Sequence, residues 1–162
     1  MILGVHSATF VKNWHEDVKP YIHLCKKAGY KSVEVSLLGQ TPSSAKEIAK
    51  LANDLNISIT CTTGLSNEED ISSSDPVIQQ NGVDALKRAI DMTAIMQAKL
   101  LTGVVHAAWG ISNSMGKDKE GKFQNSSHSI KKITSFLSEK NIKLGIEPLN
   151  RYESDFINTV DE

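Results

Sequence analysis

Apolar residues follow two alternating rhythms along this chain. Short apolar runs, rich in Ile, Val and Leu, are each followed by a stretch in which apolar residues return every three or four positions. Ile2 to Val5 form the first run, and a polar and aromatic loop from His6 to Trp14 follows it. Val18, Tyr21, Ile22, Cys25 and Ala28 then recur at helical spacing, and Gly29 stands where a helix ends in a left-handed residue. Ser32 to Val35 make a second strand. After it, Ser44-Ala45-Lys46-Glu47 has the form of a capping box ahead of Ile48, Ala49, Ala52 and Leu55. The third strand, Ile57 to Thr62, leads into a long acidic, serine-rich loop from Gly64 to Ser74. Asp75 as N-cap and Pro76 in the first helical position open a helix that buries Val83, Leu86, Ile90 and Ala94. Leu100 to Val105 form the fourth strand, followed by His106 to Gly110 and a polar loop from Ile111 to Asn125. A helix with Ile130, Ile133 and Leu137 on one side precedes the fifth strand, which begins at Ile142 and ends at Glu147.

Strands that alternate with amphipathic helices imply right-handed crossovers on a parallel sheet, either doubly wound or a (β/α)8 barrel. Two features favour the TIM-barrel type. The loops after the third and fourth strands are much longer than those before the strands, as expected where functional loops gather at one rim. No glycine-rich phosphate turn follows the first strand. Residues 1–162 read as a single α/β domain, a partial barrel of about five parallel strands with outer helices. Asn158-Thr159-Val160-Asp161 has the form of a helix start, so the expectation is a barrel domain incomplete at its C-terminus.

Composition adds limits. With 40% hydrophobic and 23% charged residues the 162-residue chain is globular rather than disordered or fibrous. A formal net charge of −1 supplies no general attraction to nucleic acid and suits a small neutral ligand better. No apolar run approaches the ~20 residues of a membrane span, and the first residues lack a signal-peptide layout, so a cytoplasmic protein is expected. Cys25 and Cys61 lie in apolar surroundings without metal-ligand spacing and read as reduced core cysteines.

Glu147 is the leading candidate for chemistry, because a glutamate at the C-terminal end of a buried strand must be paired, protonated or bound to a cation. A catalytic or metal role stands there beside a plain interior ion pair. Glu153, six residues on, reaches the same rim or is a solvated loop charge. Glu34 shares a strand face with Ser32 and Ser36 and reads as a buried hydrogen-bonding group. His106 and Trp109 follow the fourth strand, and His6 and Trp14 follow the first. Indole faces near a histidine suit stacking on the apolar face of a sugar, with the bland alternative that these rings close the core. His15, His23 and His128 fall in helical stretches, and no HxH or HExxH pattern occurs.

The run Ile146-Glu147-Pro148-Leu149-Asn150-Arg151-Tyr152-Glu153, continuing to Asn158-Thr159, closely resembles the fifth-strand motif of the ketose 3-epimerases. These are the tagatose and psicose 3-epimerases among the xylose-isomerase-like barrels. Agreement extends to Gly4 with Trp14, to Gly64 and the serine-rich stretch as far as Asp75, and to Gly103, His106 and Trp109. The resemblance implies a divalent cation, Mn2+ or else Co2+ or Mg2+, held by Glu, Asp, His and Glu from strands five to eight. Glu147 matches the first of those ligands and one of two acid/base carboxylates, while most ligands are expected beyond residue 162. Glu153 matches a residue near the reacting sugar carbons, and Trp14, Gly64, His106 and Trp109 match pocket positions. His6 and Phe10 stand where several relatives carry Tyr and Trp. A small ketose is the implied partner, with no nucleic acid or membrane and a homo-oligomer in the full-length form. The implied reaction removes a proton at C3 of a ketose through a cation-stabilised enediolate, and the 162-residue chain alone is expected to be inactive. The alternatives are a sugar or keto-acid isomerase or dehydratase of the same superfamily, and an inactive partial barrel that binds sugar.

Overall fold

The computed structural model describes residues 2–110 and 118–162. Five parallel strands lie in one sheet in sequence order: β1 Gly4–His6, β2 Ser32–Ser36, β3 Ser58–Leu65, β4 Leu100–Ala108 and β5 Lys143–Leu144. The helices between them are α1 Lys19–Lys27, α2 Pro42–Asp54, α3 Pro76–Ile95, α4 Lys119–Lys131 and α5 Thr134–Lys140. The period-two pattern of the strands decides the layering. Val33, Val35, Ile59, Cys61, Leu101 and Val105 join the buried core with Ile22, Cys25, Ile48, Leu86 and Ile90 from the helices. Ser32, Glu34, Ser36, Thr60, Thr62 and Thr102 occupy the opposite face, where Thr102 Oγ1 donates to Glu34 Oε1 across β3. The hydrogen bond expected of Glu34 is therefore present, on a half-buried rather than a fully buried side chain. Both cysteines are free and buried, and burial pushes the Cys61 thiol up to about 12.

One junction is repeated four times. α1, α2, α3 and α5 each run into a left-handed residue, at Gly29 (φ +94°), Asn56 (+48°), Gln97 (+58°) and Asn141 (+53°). The next amide then reaches back into the helix: Tyr30 N to Cys25 O at 3.0 Å, Ile57 N to Ala52 O at 3.0 Å, Ala98 N to Thr93 O at 3.1 Å and Ile142 N to Leu137 O at 3.0 Å. This closure satisfies the last helical carbonyls and turns the chain into the following strand. It keeps the lower junctions short and leaves the long connections at the other end of the sheet.

Several expected boundaries shift. Ile2 and Leu3 are 71% and 61% exposed, and β1 starts only at Gly4. The capping box of α2 is formed by Thr41 and Ser44, with Pro42 in the first turn, rather than by Ser44 and Glu47. β3 runs on to Leu65, through the start of the expected loop. Within the loop expected from Ile111 to Asn125, residues 111–117 lie outside the described residues, and Asn125 is already inside α4. Residues 158–162 form no helix: Glu162 accepts from the amides of Asn158 and Thr159. Among the described residues no helix is long and apolar enough to cross a membrane.

Candidate functional site

The C-terminal ends of the strands converge on a cavity of about 190 Å³. His6, Trp14, Gly64, Trp109, Glu147 and Glu153 line it, together with Ser36, Leu38, Thr62, Thr63, Val104 and Leu149. Six of the seven residues singled out from sequence are thus brought together from four different strands and their loops. A larger hollow of about 770 Å³ opens at the other end of β3, β4 and β5, but it is lined by amides, hydroxyls, aliphatic groups and two lysines, with no carboxylate or histidine.

His6 ends β1 and caps the short turn after it, its Nδ1 accepting from Ala8 N at 2.9 Å. In the neutral ring that bond leaves the proton on Nε2, which makes that edge a donor. Trp109 lies against Gly64: a Cβ at that glycine would stand 3.3 Å from Trp109 Cε3, so a side chain there would crowd the indole. Trp14 meets Trp109 edge to face, with ring centroids 6.1 Å apart and planes at 69°.

β5 ends at Leu144, short of the expected Glu147, but backbone bonds to β4 continue past it. The Glu147 amide donates to Gly103 O at 3.1 Å, as Gly145 N does to Leu101 O at 2.8 Å. The expectation of a buried acid is corrected, because Glu147 is exposed at the cavity mouth. Its carboxylate has no hydrogen bond or ion pair among the described residues, so the charge is left to solvent or ligand.

Glu153 is held in a clasped loop. The Asn150 amide donates to its carboxylate, and Asn150 Oδ1 accepts from Tyr152 N at 3.0 Å. Asn158 Nδ2 closes the loop by bonding Leu149 O at 2.8 Å and Ser154 O at 2.9 Å, and Leu149 N bonds Ile157 O at 3.0 Å. Ile157 takes a φ of +57°, an unfavourable value for a β-branched residue that the closure enforces.

His106 does not enter this cavity. Between Gly64↔Val104 and Leu65↔Ala108, β3 advances one residue while β4 advances four. The bulge breaks the alternation that would have aimed residue 106 inward. The His106 ring is 1% exposed, packs 5.7 Å from the Phe156 ring and borders a separate hollow with Ser126, Ile130 and Ile146. Neither ring nitrogen has a hydrogen-bond partner among the described residues, and burial holds its pKa below the ordinary histidine value.

Ser36, Thr62 and Val104 were not singled out from sequence, although strand alternation puts Ser36 on the face of Glu34. Leu38 and Leu149 come from loops and left no periodic signal. Among the described residues no three His, Cys, Asp or Glu side chains are grouped to hold a metal ion. Glu147 and Glu153 supply hard oxygen donors of the kind Mn2+ and Mg2+ take, as part of a ligand set rather than the whole of one.

The family description "xylose isomerase-like TIM barrel" matches residues 22–162. The D-psicose 3-epimerase of Agrobacterium fabrum is 29% identical over 162 residues, covering 98% of this chain and 56% of that protein. The L-ribulose 3-epimerase of a Methylomonas species is 26% identical over 157 residues, covering 96% of this chain and 54% of that protein. A crystal structure of D-psicose 3-epimerase from Clostridium cellulolyticum H10 with D-tagatose superposes with a TM-score of 0.91 at 26% identity, over 99% of this chain and 57% of that one. The chain thus spans a little over half the length of the relatives it matches.

Proposed function

We propose that this chain, which belongs to the xylose isomerase-like TIM barrel family, carries the sugar-holding side of a metal-dependent ketose 3-epimerase site. The observation that supports this reading best is the cavity itself. It joins two indoles, a histidine donor edge and two carboxylates at the C-terminal end of a parallel sheet.

Each group has a task that its surroundings permit. Trp14 and Trp109 stack against the apolar face of a ketose and exclude water from it. His6 Nε2–H donates to a sugar hydroxyl. Glu153, its carboxylate fixed by Asn150, accepts from hydroxyls near the reacting carbons. Glu147 has no partner among the described residues to neutralise it, so its carboxylate can take a proton from C3 or return one. A divalent cation bound beside Glu147 would polarise the C2 carbonyl and offset the negative charge that develops on the sugar oxygens. Glu147 is the ligand this chain would give that cation, and the remaining ligands would come from outside the described residues.

The first test is a hybrid. The segment of the Agrobacterium fabrum D-psicose 3-epimerase that this chain matches is replaced by residues 1–162, and C3 epimerisation of D-fructose, D-tagatose and D-psicose is followed with Mn2+. Turnover is expected, with Glu147→Gln lowering kcat by about 10²- to 10⁴-fold, the range of a lost acid/base group. A folded hybrid that turns over inososes or keto-acids, but none of the three ketoses, would overturn the 3-epimerase reading. The 162-residue chain by itself is expected to show no turnover.

A further inference from the structure

We propose that Asp70 is a positioning residue that sets the Trp109 wall of the cavity by closing the β4 bulge. The inference rests on the reading of that cavity as a sugar site. Its geometric part stands without it.

The bulge creates a problem of placement. Residues 105–107 leave the register with β3, and the strand must return before it can present Trp109. Two bonds bring it back. Trp109 N donates to Leu65 O at 2.8 Å, and Ala108 N donates to Asp70 Oδ1 at 3.2 Å. The same Asp70 oxygen accepts from Ser72 N at 2.8 Å and from Ser72 Oγ at 2.7 Å. Asp70 therefore ties the loop after β3 to itself and to the residue just before Trp109.

That loop is itself anchored to α3. Arg88 Nη2 donates to Glu69 Oε1 at 3.0 Å, and Gly82 lies so close beneath Glu69 that a Cβ there would be 2.2 Å from its carbonyl oxygen. Position thus passes from α3 through residues 69 and 70 to Ala108 and Trp109. At the end of this chain of contacts the indole lies against Gly64 and Trp14. Without the Asp70 oxygen, the Ala108 and Ser72 amides lose their partner and the strand end is held by the Leu65 bond alone.

All three bonds fall on one oxygen. An asparagine at this position carries an equivalent oxygen and can keep them, whereas glutamate keeps the charge and misplaces the oxygen. Geometry and charge are therefore separable.

The sequence contains two tryptophans, both lining the cavity, so tryptophan spectroscopy reads this wall directly. Near-ultraviolet circular dichroism and acrylamide quenching are compared for the 162-residue protein, and D-fructose titration in the presence of Mn2+ for the hybrid barrel, each with Asp70→Ala, Asp70→Glu and Asp70→Asn. The alanine and glutamate variants are expected to lose near-ultraviolet signal and to quench roughly twofold more readily, with D-fructose binding weakened about fivefold, while asparagine restores all three readouts. Unchanged quenching and dichroism in both the alanine and glutamate variants would overturn the proposal, as would an asparagine variant as disturbed as the alanine one. If the parent hybrid ignores D-fructose while Asp70→Ala still alters the tryptophan signals of the 162-residue protein, the sugar reading fails and the positioning role stands.

Discussion

A carboxylate at a strand end stays available to a ligand only where the fold keeps lysine and arginine away from it. Glu147 meets that condition, since the ion pairs of the described residues are made elsewhere, as between Lys19 and Glu47 or Lys140 and Asp91. His106 shows the opposite case: a polar ring is enclosed and made costly to charge. Burial depresses its pKa, with the Phe156 backbone and the Asp70 carboxylate opposing that shift. Below the ordinary value of 6.5 the unfolded chain takes up a proton that the folded chain resists, so stability is lost as pH falls from there through the depressed folded value. Urea unfolding midpoints are expected to drop between about pH 7 and about pH 5, and more steeply for the parent protein than for His106→Phe. Parallel slopes would remove the buried-histidine account. The two residues also differ in how far sequence reveals them. Glu147 was readable because it ends an apolar run in register, whereas nothing local announces the three extra residues that turn His106 outward.

Elements were legible wherever local chemistry and packing agree. Asp75 caps α3 as its Asp-Pro signal requires, with Oδ1 accepting from Val77 N at 2.8 Å. The start of α4 was missed because that helix lacks an apolar stripe in its first turns. Its buried positions include Ser126 and Ser129, which turn their hydroxyls to His106 O at 2.7 Å and Ile71 O at 3.4 Å. A helix that buries serines leaves no hydrophobic period to find. The repeated helix-to-strand junction offers a test at the same scale. Gln97 holds a left-handed conformation that costs a residue with a side chain roughly 1–2 kcal/mol, against about 0.5–1 kcal/mol of extra chain entropy for glycine. Gln97→Gly also gives up an exposed bond from Asn53 at 3.1 Å, so a net gain of about 0.5 kcal/mol is expected in chemical denaturation. A loss of stability instead would show that this bond, rather than backbone geometry, governs the turn.

At the scale of the molecule, four short, closed junctions at one end and long, hydrogen-bonded loops at the other turn five parallel strands into a platform with one working rim. The alternation of short apolar strands with amphipathic helices was enough to predict the parallel sheet and its outer helices. The contents of the rim required loop geometry: the Asn158 clasp that fixes Glu153 and the β4 bulge that separates Trp109 from His106. The proposed function requires this rim to offer one cation and one ketose a shared seat at Glu147, in the cavity that both tryptophans of the sequence line. It is tested most directly by calorimetric titration of D-fructose into the hybrid barrel that carries residues 1–162, with and without Mn2+ at about millimolar concentration, in the parent hybrid and in its Glu147→Gln variant. A saturable response that requires Mn2+ and disappears in Glu147→Gln is expected. A response of equal size without the metal and in the variant would contradict it.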